Sequence, residues 1–294
     1  MNPAFEINKV IKTYPEFQLG PLNFELEPGT VLGYIGPNGS GKTTTMHCLV
    51  GLVKADSGEM KIFGQENDPN KIDWKFDIGY VGDVHVFYEN WSAEKNLKFL
   101  SQFYPNWSDK RTAELATRFD LPLKKKAKEL SGGNRVKLSL VAALAHFPKL
   151  LLLDEPTSGL DPVVRNEVLD TLFEVLEDGE RSIFYSTHIL TDISRLADEL
   201  AFLDNGQIIQ RTAKDDLVDL WRRISFRLPG QEVQIPDVIS HKNEGNDHQV
   251  ISSDFKKTLA ELKKIGAENI QDNRLTIDEI AVQILKGVKN VAHS

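Results

Sequence analysis

Apolar and polar positions alternate in short runs over residues 4–35: Phe5-Glu6-Ile7-Asn8-Lys9-Val10-Ile11-Lys12, then Leu22-Asn23-Phe24-Glu25-Leu26. That period of two, interrupted at Pro21 and at Pro28-Gly29, predicts antiparallel strands. Val31-Leu32-Gly33-Tyr34-Ile35 follows as an unbroken apolar run and reads as a buried strand. Residues 59–63 and 77–81 predict two more short strands. The spacing then turns helical. Residues 92–103 predict a helix capped by Ser92, Asn106-Trp107-Ser108 a break, and residues 109–119 a second helix. Phe87, Tyr88, Trp91, Phe99, Phe103, Tyr104 and Trp107 crowd into this stretch, which reads as a helical insertion between strands. Its rings are expected to form the insertion's core, with part of the cluster available to face a partner.

Further on, apolar residues at 136, 138, 140, 141 and 144 predict a helix over 135–146, with Ser131 as its cap. Leu150-Leu151-Leu152-Leu153 reads as a central parallel strand buried on both faces, and residues 182–188 as another. Ser158-Gly159-Leu160-Asp161-Pro162 is a turn opening a helix to about 176. Segments 200–203 and 207–210, around Asp204-Asn205-Gly206, predict a hairpin. After about 212 the composition shifts. Residues 224–228 and 231–235 predict strands, 237–247 a polar loop, and 255–265 and 276–285 amphipathic helices. The expected fold class is α/β: a mixed central sheet, an antiparallel β subdomain, a helical insertion at about 84–147 and a small C-terminal α/β appendage. The expected domains are 1–213 and 214–294.

One loop carries the clearest chemistry. Gly36-Pro37-Asn38-Gly39-Ser40-Gly41-Lys42-Thr43-Thr44 lies between the apolar strand and a segment, 45–52, that reads as the opening of a helix. Glycine, four residues, then glycine, lysine and threonine, in a strand–loop–helix context, is a phosphate-binding loop. Its glycines let successive N–H groups turn inward at a polyphosphate, and the helix N-terminus adds positive partial charge. Lys42 is then placed for the β- and γ-phosphates and the Thr43 hydroxyl for Mg²⁺.

Other candidates surround this loop. Asp154 and Glu155 end the four-leucine strand, and parallel sheets bind ligands at the carboxyl ends of their strands. Asp154 is a candidate Mg²⁺ ligand, and Glu155 a candidate to orient or deprotonate a water. His188 ends another such strand and is a candidate to face the γ-phosphate. Leu130-Ser131-Gly132-Gly133-Asn134 leaves bare N–H groups where a helix starts, a second anion site. Tyr14 falls at an expected turn, where its ring can stack on a flat base.

Bulk properties narrow the context. The chain has 294 residues, 40% of them hydrophobic and 27% charged, the balance of a globular protein. A net charge of −8 argues against broad nucleic-acid binding. The single cysteine, Cys48, excludes an internal disulfide and a multi-cysteine metal site, and reads as a small core residue. Lys124-Lys125-Lys126 reads as a solvated run. No apolar run is long enough to cross a bilayer, and the N-terminus lacks the form of a secretion signal, so a cytoplasmic setting is expected.

The order of these motifs resembles the ATP-binding cassette of ABC transporters, a P-loop NTPase, over about residues 4–212. The resemblance implies that Tyr14 stacks on adenine and that residues 36–44 hold the phosphates. Residues 130–134 match the signature segment, usually written LSGGQ. Asp154 matches the acid that supports Mg²⁺, Glu155 the catalytic base or water-orienting acid, and His188 the histidine at the γ-phosphate. Ser158-Gly159-Leu160-Asp161 matches the segment that crosses to the other protomer. ATP and Mg²⁺ are the implied cofactors. Two cassettes are expected to pair head to tail, a homodimer being favoured over a heterodimer because every motif is present. A polytopic permease on a separate chain is the implied partner, holding the cassette at the inner face of the membrane; by analogy, the direction is export. The remainder is similar only in outline to the C-terminal extensions of such ATPases.

Three positions depart from the family pattern, the first being Gly82, where the family usually has a proline. Asn134 stands where glutamine is usual, which keeps the amide on a shorter arm. Asp83, in Ile78-Gly79-Tyr80-Val81-Gly82-Asp83, stands where the family has a glutamine that contacts Mg²⁺ and the attacking water. A carboxylate there can still offer Mg²⁺ an oxygen, and adds negative charge near the γ-phosphate. Two other functions fit the same motifs: a soluble ABC ATPase without a transport role, and a cassette that switches on ATP binding with little hydrolysis. A small-molecule kinase has no need of the signature segment.

Overall fold

The alternating N-terminal segment forms β1 (Phe5–Tyr14) and β2 (Phe17–Leu26), antiparallel from Phe5↔Leu26 to Tyr14↔Phe17. The computed structural model describes residues 2–68, 71–83, 86–177, 179–228 and 235–291. The apolar run is β3 (Val31–Ile35), buried at every residue. It leads through the glycine-rich loop into α1 (Lys42–Leu49), which opens three residues before the expected start at 45. The difference arises because Gly41, at φ 110°, caps the helix directly at the end of the loop. β4 (Ser57–Ile62) and β5 (Gln65–Glu66) complete an antiparallel sheet in the order β2-β1-β4-β5. β6 (Ile78–Val81) belongs to the central sheet.

The helical insertion contains α2 (Ala93–Leu100), α3 (Asp109–Arg118) and α4 (Gly132–Leu144). A serine caps each one. Ser92 Oγ accepts from Lys95 N, Ser108 Oγ from Arg111 N and Ser131 Oγ from Asn134 N. The Ser131 cap starts α4 at Gly132, three residues ahead of the expected 135. The aromatic residues pack on one another: Tyr88 stacks on Trp91 at 4.3 Å, and Phe99 meets Phe103 edge-on at 5.1 Å. Tyr88 and Phe103 keep about half their surface exposed, at 52% and 56%.

His146 ties this insertion to the sheet. Its ring stacks on Tyr104 at 4.0 Å, and its Nε2 donates to the Ile78 carbonyl at 3.0 Å. Burial holds its pKa below the ordinary 6.5, against the opposing pull of its backbone hydrogen bonds. The unfolded chain therefore binds the extra proton first as pH falls. The stabilisation from a neutral His146 is complete above about 6.5 and is lost as pH falls below it. Thermal unfolding at pH 7.5 and pH 5.5 is expected to show a smaller acid-induced loss in His146→Gln than in the parent. Equal losses in the two proteins would contradict this.

The central sheet continues with β7 (Leu150–Asp154), α5 (Pro162–Leu176), β8 (Ser182–Thr187), α6 (Leu190–Leu196), β9 (Glu199–Asp204) and β10 (Gln207–Ala213). Its order is β10-β9-β3-β8-β7-β6, and the pairs β9–β3, β3–β8, β8–β7 and β7–β6 are parallel. On one face, Phe184 and Tyr34 pack against Phe5 and Phe24 of the antiparallel sheet. β9 and β10 form the expected hairpin around Asn205 and Gly206, at φ 45° and 78°.

The chain divides into two compact units, Met1–Ile208 and Ile209–Ser294. The second contains α7 (Lys214–Leu220), β11 (Arg222–Arg227), β12 (Val238–Glu244), β13 (Asp247–Ser252), α8 (Phe255–Lys264), β14 (Glu268–Arg274) and α9 (Ile277–Val291). Its antiparallel sheet runs β12-β13-β11-β14. Ile224, Phe226, Val250 and Leu262 form its buried core. The expected polar loop over 237–247 is instead largely strand β12. That strand lies at the sheet edge with Lys242, Asn243 and Glu244 exposed, so it carries little of the alternation that betrays a half-buried strand. The strand expected at 231–235 falls mostly outside the described residues.

Candidate active site

The parallel strands bring their carboxyl ends to one edge. Ile35 pairs with Thr187, Asp154 with Ser186, and Val81 with Leu153. The chain leaves the sheet there towards Gly36, His188, Glu155 and Asp83. Asp83, Glu155 and His188 line an open cleft of about 850 Å³ together with Tyr14, Asn38, Gly39, Gly41, Lys42, Thr43, Thr44 and Ser158. Ser40, within the loop, is buried, and its hydroxyl has no hydrogen-bond partner among the described residues. Pro37 is exposed at the loop.

Lys42 is only 6% exposed. Its Nζ donates to the carbonyls of Gly36 at 2.8 Å and Pro37 at 3.2 Å, and lies 3.2 Å from Glu155 Oε1. Glu155 Oε2 lies 2.8 Å from His188 Nδ1 and accepts the His188 backbone N–H at 3.3 Å. Glu155 thus stands between the loop lysine and the histidine. Its φ of 50° is in the left-handed region that side chains seldom adopt, and its N–H is held by the Ser186 carbonyl at 3.1 Å.

Asp154 is fully buried. Its Oδ1 accepts from the Ser186 hydroxyl, and its Oδ2 has no hydrogen-bond partner among the described residues. A buried carboxylate oxygen left without a donor is costly, and a divalent cation satisfies it. The nearby Tyr80 hydroxyl has its pKa raised, first by burial and then by the charges of Asp154 and Asp83. Thr43 and Asp83 line the cleft, Asp154 does not, and the carboxylate and hydroxyl oxygens of the three are donors of the kind a hard cation such as Mg²⁺ takes.

Ser131, Gly132, Gly133 and Asp161 do not line this cleft. Ser131 and Gly132 are exposed at the start of α4, and Asp161 Oδ1 caps α5 by accepting from Val163 N and Val164 N. The two helix starts are neighbours: a side-chain carbon on Gly133 would come within 3.3 Å of Val164 Cγ1. Sequence reasoning missed Phe17 and Asn205 in the cleft lining, and Ser186 as the donor to Asp154. Only the polar end of the Tyr185-Ser186-Thr187-His188 run hinted at Ser186.

A glycine-rich loop on one parallel strand, with a pair of acids ending another, defines a P-loop NTPase. The ABC transporter family model matches residues 19–158. The chain is 31% identical over 251 residues to the bacitracin transport ATP-binding protein of Bacillus licheniformis, covering 84% of this chain and 82% of the relative. It is 34% identical over 201 residues to the linearmycin resistance ATP-binding protein of Bacillus subtilis, covering 67% and 64%. A solved ATP-binding subunit of an ABC transporter superposes with a TM-score of 0.67 at 26% identity, covering 74% of this chain and 92% of that one. The chain belongs to the ATP-binding proteins of ABC transporters. It is an ATP-binding and ATP-hydrolysing cassette.

Proposed function

We propose that two such cassettes close head to tail over two ATP·Mg²⁺ and drive a permease on a separate chain. The observation that carries this is the convergence of Lys42, Glu155 and His188 in one cleft, with the α4 N-terminus outside it. Lys42 and the loop amides bind the β- and γ-phosphates, and Tyr14 stacks on the base. Ser131, Gly132 and Gly133 of the facing copy supply the anion site that caps the γ-phosphate, and Asp161 lies in the segment that crosses over. Thr43, Asp154 and Asp83 would hold Mg²⁺, which supplies charge neutralisation at the phosphates. Glu155 orients the water and His188 meets the γ-phosphate. A second copy of this chain is the favoured partner in the pair.

Docking on the permease has its own support. A second cleft of about 250 Å³ is lined by Tyr80, Gly82, Val86, Phe87, Leu100 and Tyr104, between the end of β6 and the insertion. Among the described residues, no helix is long and apolar enough to cross a membrane. In this reading the permease holds the cassette at the membrane. The names of the two relatives, bacitracin transport and linearmycin resistance, favour transport of a compound of that kind, and export is the direction we propose.

Light scattering after size exclusion tests the closure. Glu155→Gln with ATP and Mg²⁺ is expected at twice the monomer mass. Adding Ser131→Arg should return it to monomer. A monomer in both would overturn the proposed closure.

A further inference from the structure

We propose that Asp192 is a positioning residue that locks the Glu155 loop to the His188 strand. The proposal rests on the roles given above to Glu155 and His188. Asp192 lies on α6, four residues beyond His188, and is 1% exposed. Three elements converge on its carboxylate. The hydroxyl of Thr157, two residues beyond Glu155, donates to Oδ2. The hydroxyl of Tyr185, three residues before His188, donates to the same oxygen at 3.4 Å and lies 3.0 Å from Thr157 Oγ1. Arg165 of α5 donates from Nε to Oδ1 at 2.5 Å and also reaches Thr191.

A buried carboxylate without partners would be strongly disfavoured. Here both oxygens are engaged, and each donor comes from a different segment. Thr157 and Tyr185 are themselves buried, at 1% and 0% exposed, so water does not compete for them. Within a low-dielectric site such a network has one good arrangement. Moving the Glu155 loop relative to α6 breaks a hydrogen bond to a charge, which is stronger than one between neutral groups, and moving it relative to β8 breaks the Thr157–Tyr185 contact. Glu155 therefore inherits a fixed placement against His188, although Asp192 touches neither. Arg165 carries the same constraint into α5, whose first turn Asp161 caps.

Two single substitutions in the full chain test this. Asp192→Asn removes the charge. Thr157→Val removes only the hydroxyl that joins Asp192 to the Glu155 loop and leaves the Arg165–Asp192 pair, so it stays informative should Asp192→Asn fail to fold. Each is expected to lower kcat about tenfold or more, with KM and the affinity for a fluorescent ATP analogue within about twofold of the parent. In a Glu155→Gln background neither should lower the residual rate further, because the positioned group is gone. Parent-level kcat in both variants, with Glu155→Gln inactive, would refute the role of Asp192 and leave that of Glu155 standing. Parallel losses of kcat and analogue affinity, with a lower unfolding midpoint, would also refute it. Parent-level turnover by Glu155→Gln would remove the role of Glu155, and this proposal with it.

Discussion

Glu155→Gln is expected to bind ATP as tightly as the parent and to hydrolyse it at least about 100-fold more slowly, the scale of a lost general base. Glutamine matches the size of glutamate and keeps an oxygen that can accept from the His188 N–H. It loses the negative charge that faces Lys42 Nζ across 3.2 Å. It cannot take a proton from water. Removing that charge also relieves repulsion of the incoming γ-phosphate, so affinity should hold or rise. Phosphate release measures the first effect and equilibrium binding of a fluorescent analogue the second. Turnover at the parent rate would deny Glu155 its role. Loss of both turnover and binding would instead indicate that the Lys42–Glu155–His188 arrangement is needed to build the cleft.

Much of this site is legible in the chain because its chemistry is local. Residues 36–44 announce themselves by spacing, and Ser92, Ser131 and Asp161 by standing one residue ahead of a helix. The four leucines before Asp154 show a strand buried on both faces, which puts the two acids at its end. Long-range features leave no such mark. Nothing near Glu155 in sequence says that Lys42 lies 3.2 Å from one oxygen and His188 2.8 Å from the other. Asp192 belongs to no motif in the sequence; only the packing of α5, α6 and β8 makes it a buried hub. The edge elements fail for a different reason. β12 and β14 expose most of their residues, so sheet pairing decides their conformation and a one-sided apolar pattern does not.

The largest loss of stability is expected from Phe184→Ala, at about 3–5 kcal/mol, the range for emptying a buried phenylalanine site. Phe184 is fully buried on β8, with a paired strand on each side. Its ring meets Phe5 at 5.1 Å, Phe24 at 5.9 Å and Tyr34 at 5.0 Å. Phe5 and Phe24 belong to the antiparallel sheet, and Tyr34 to the strand feeding the phosphate loop. One side chain thus joins both sheets of the first unit. The site cannot collapse easily, because rigid strands hold the ring's neighbours apart, so most of the cavity should persist. Phe184→Leu retains much of the volume and should cost less. Urea unfolding followed by tryptophan fluorescence measures both, with the midpoint falling further for alanine than for leucine. The same strand carries Tyr185, Ser186 and, just beyond its end, His188, so ATP turnover should fall before the chain unfolds. An unchanged midpoint for Phe184→Ala would mean that the two sheets are held together elsewhere.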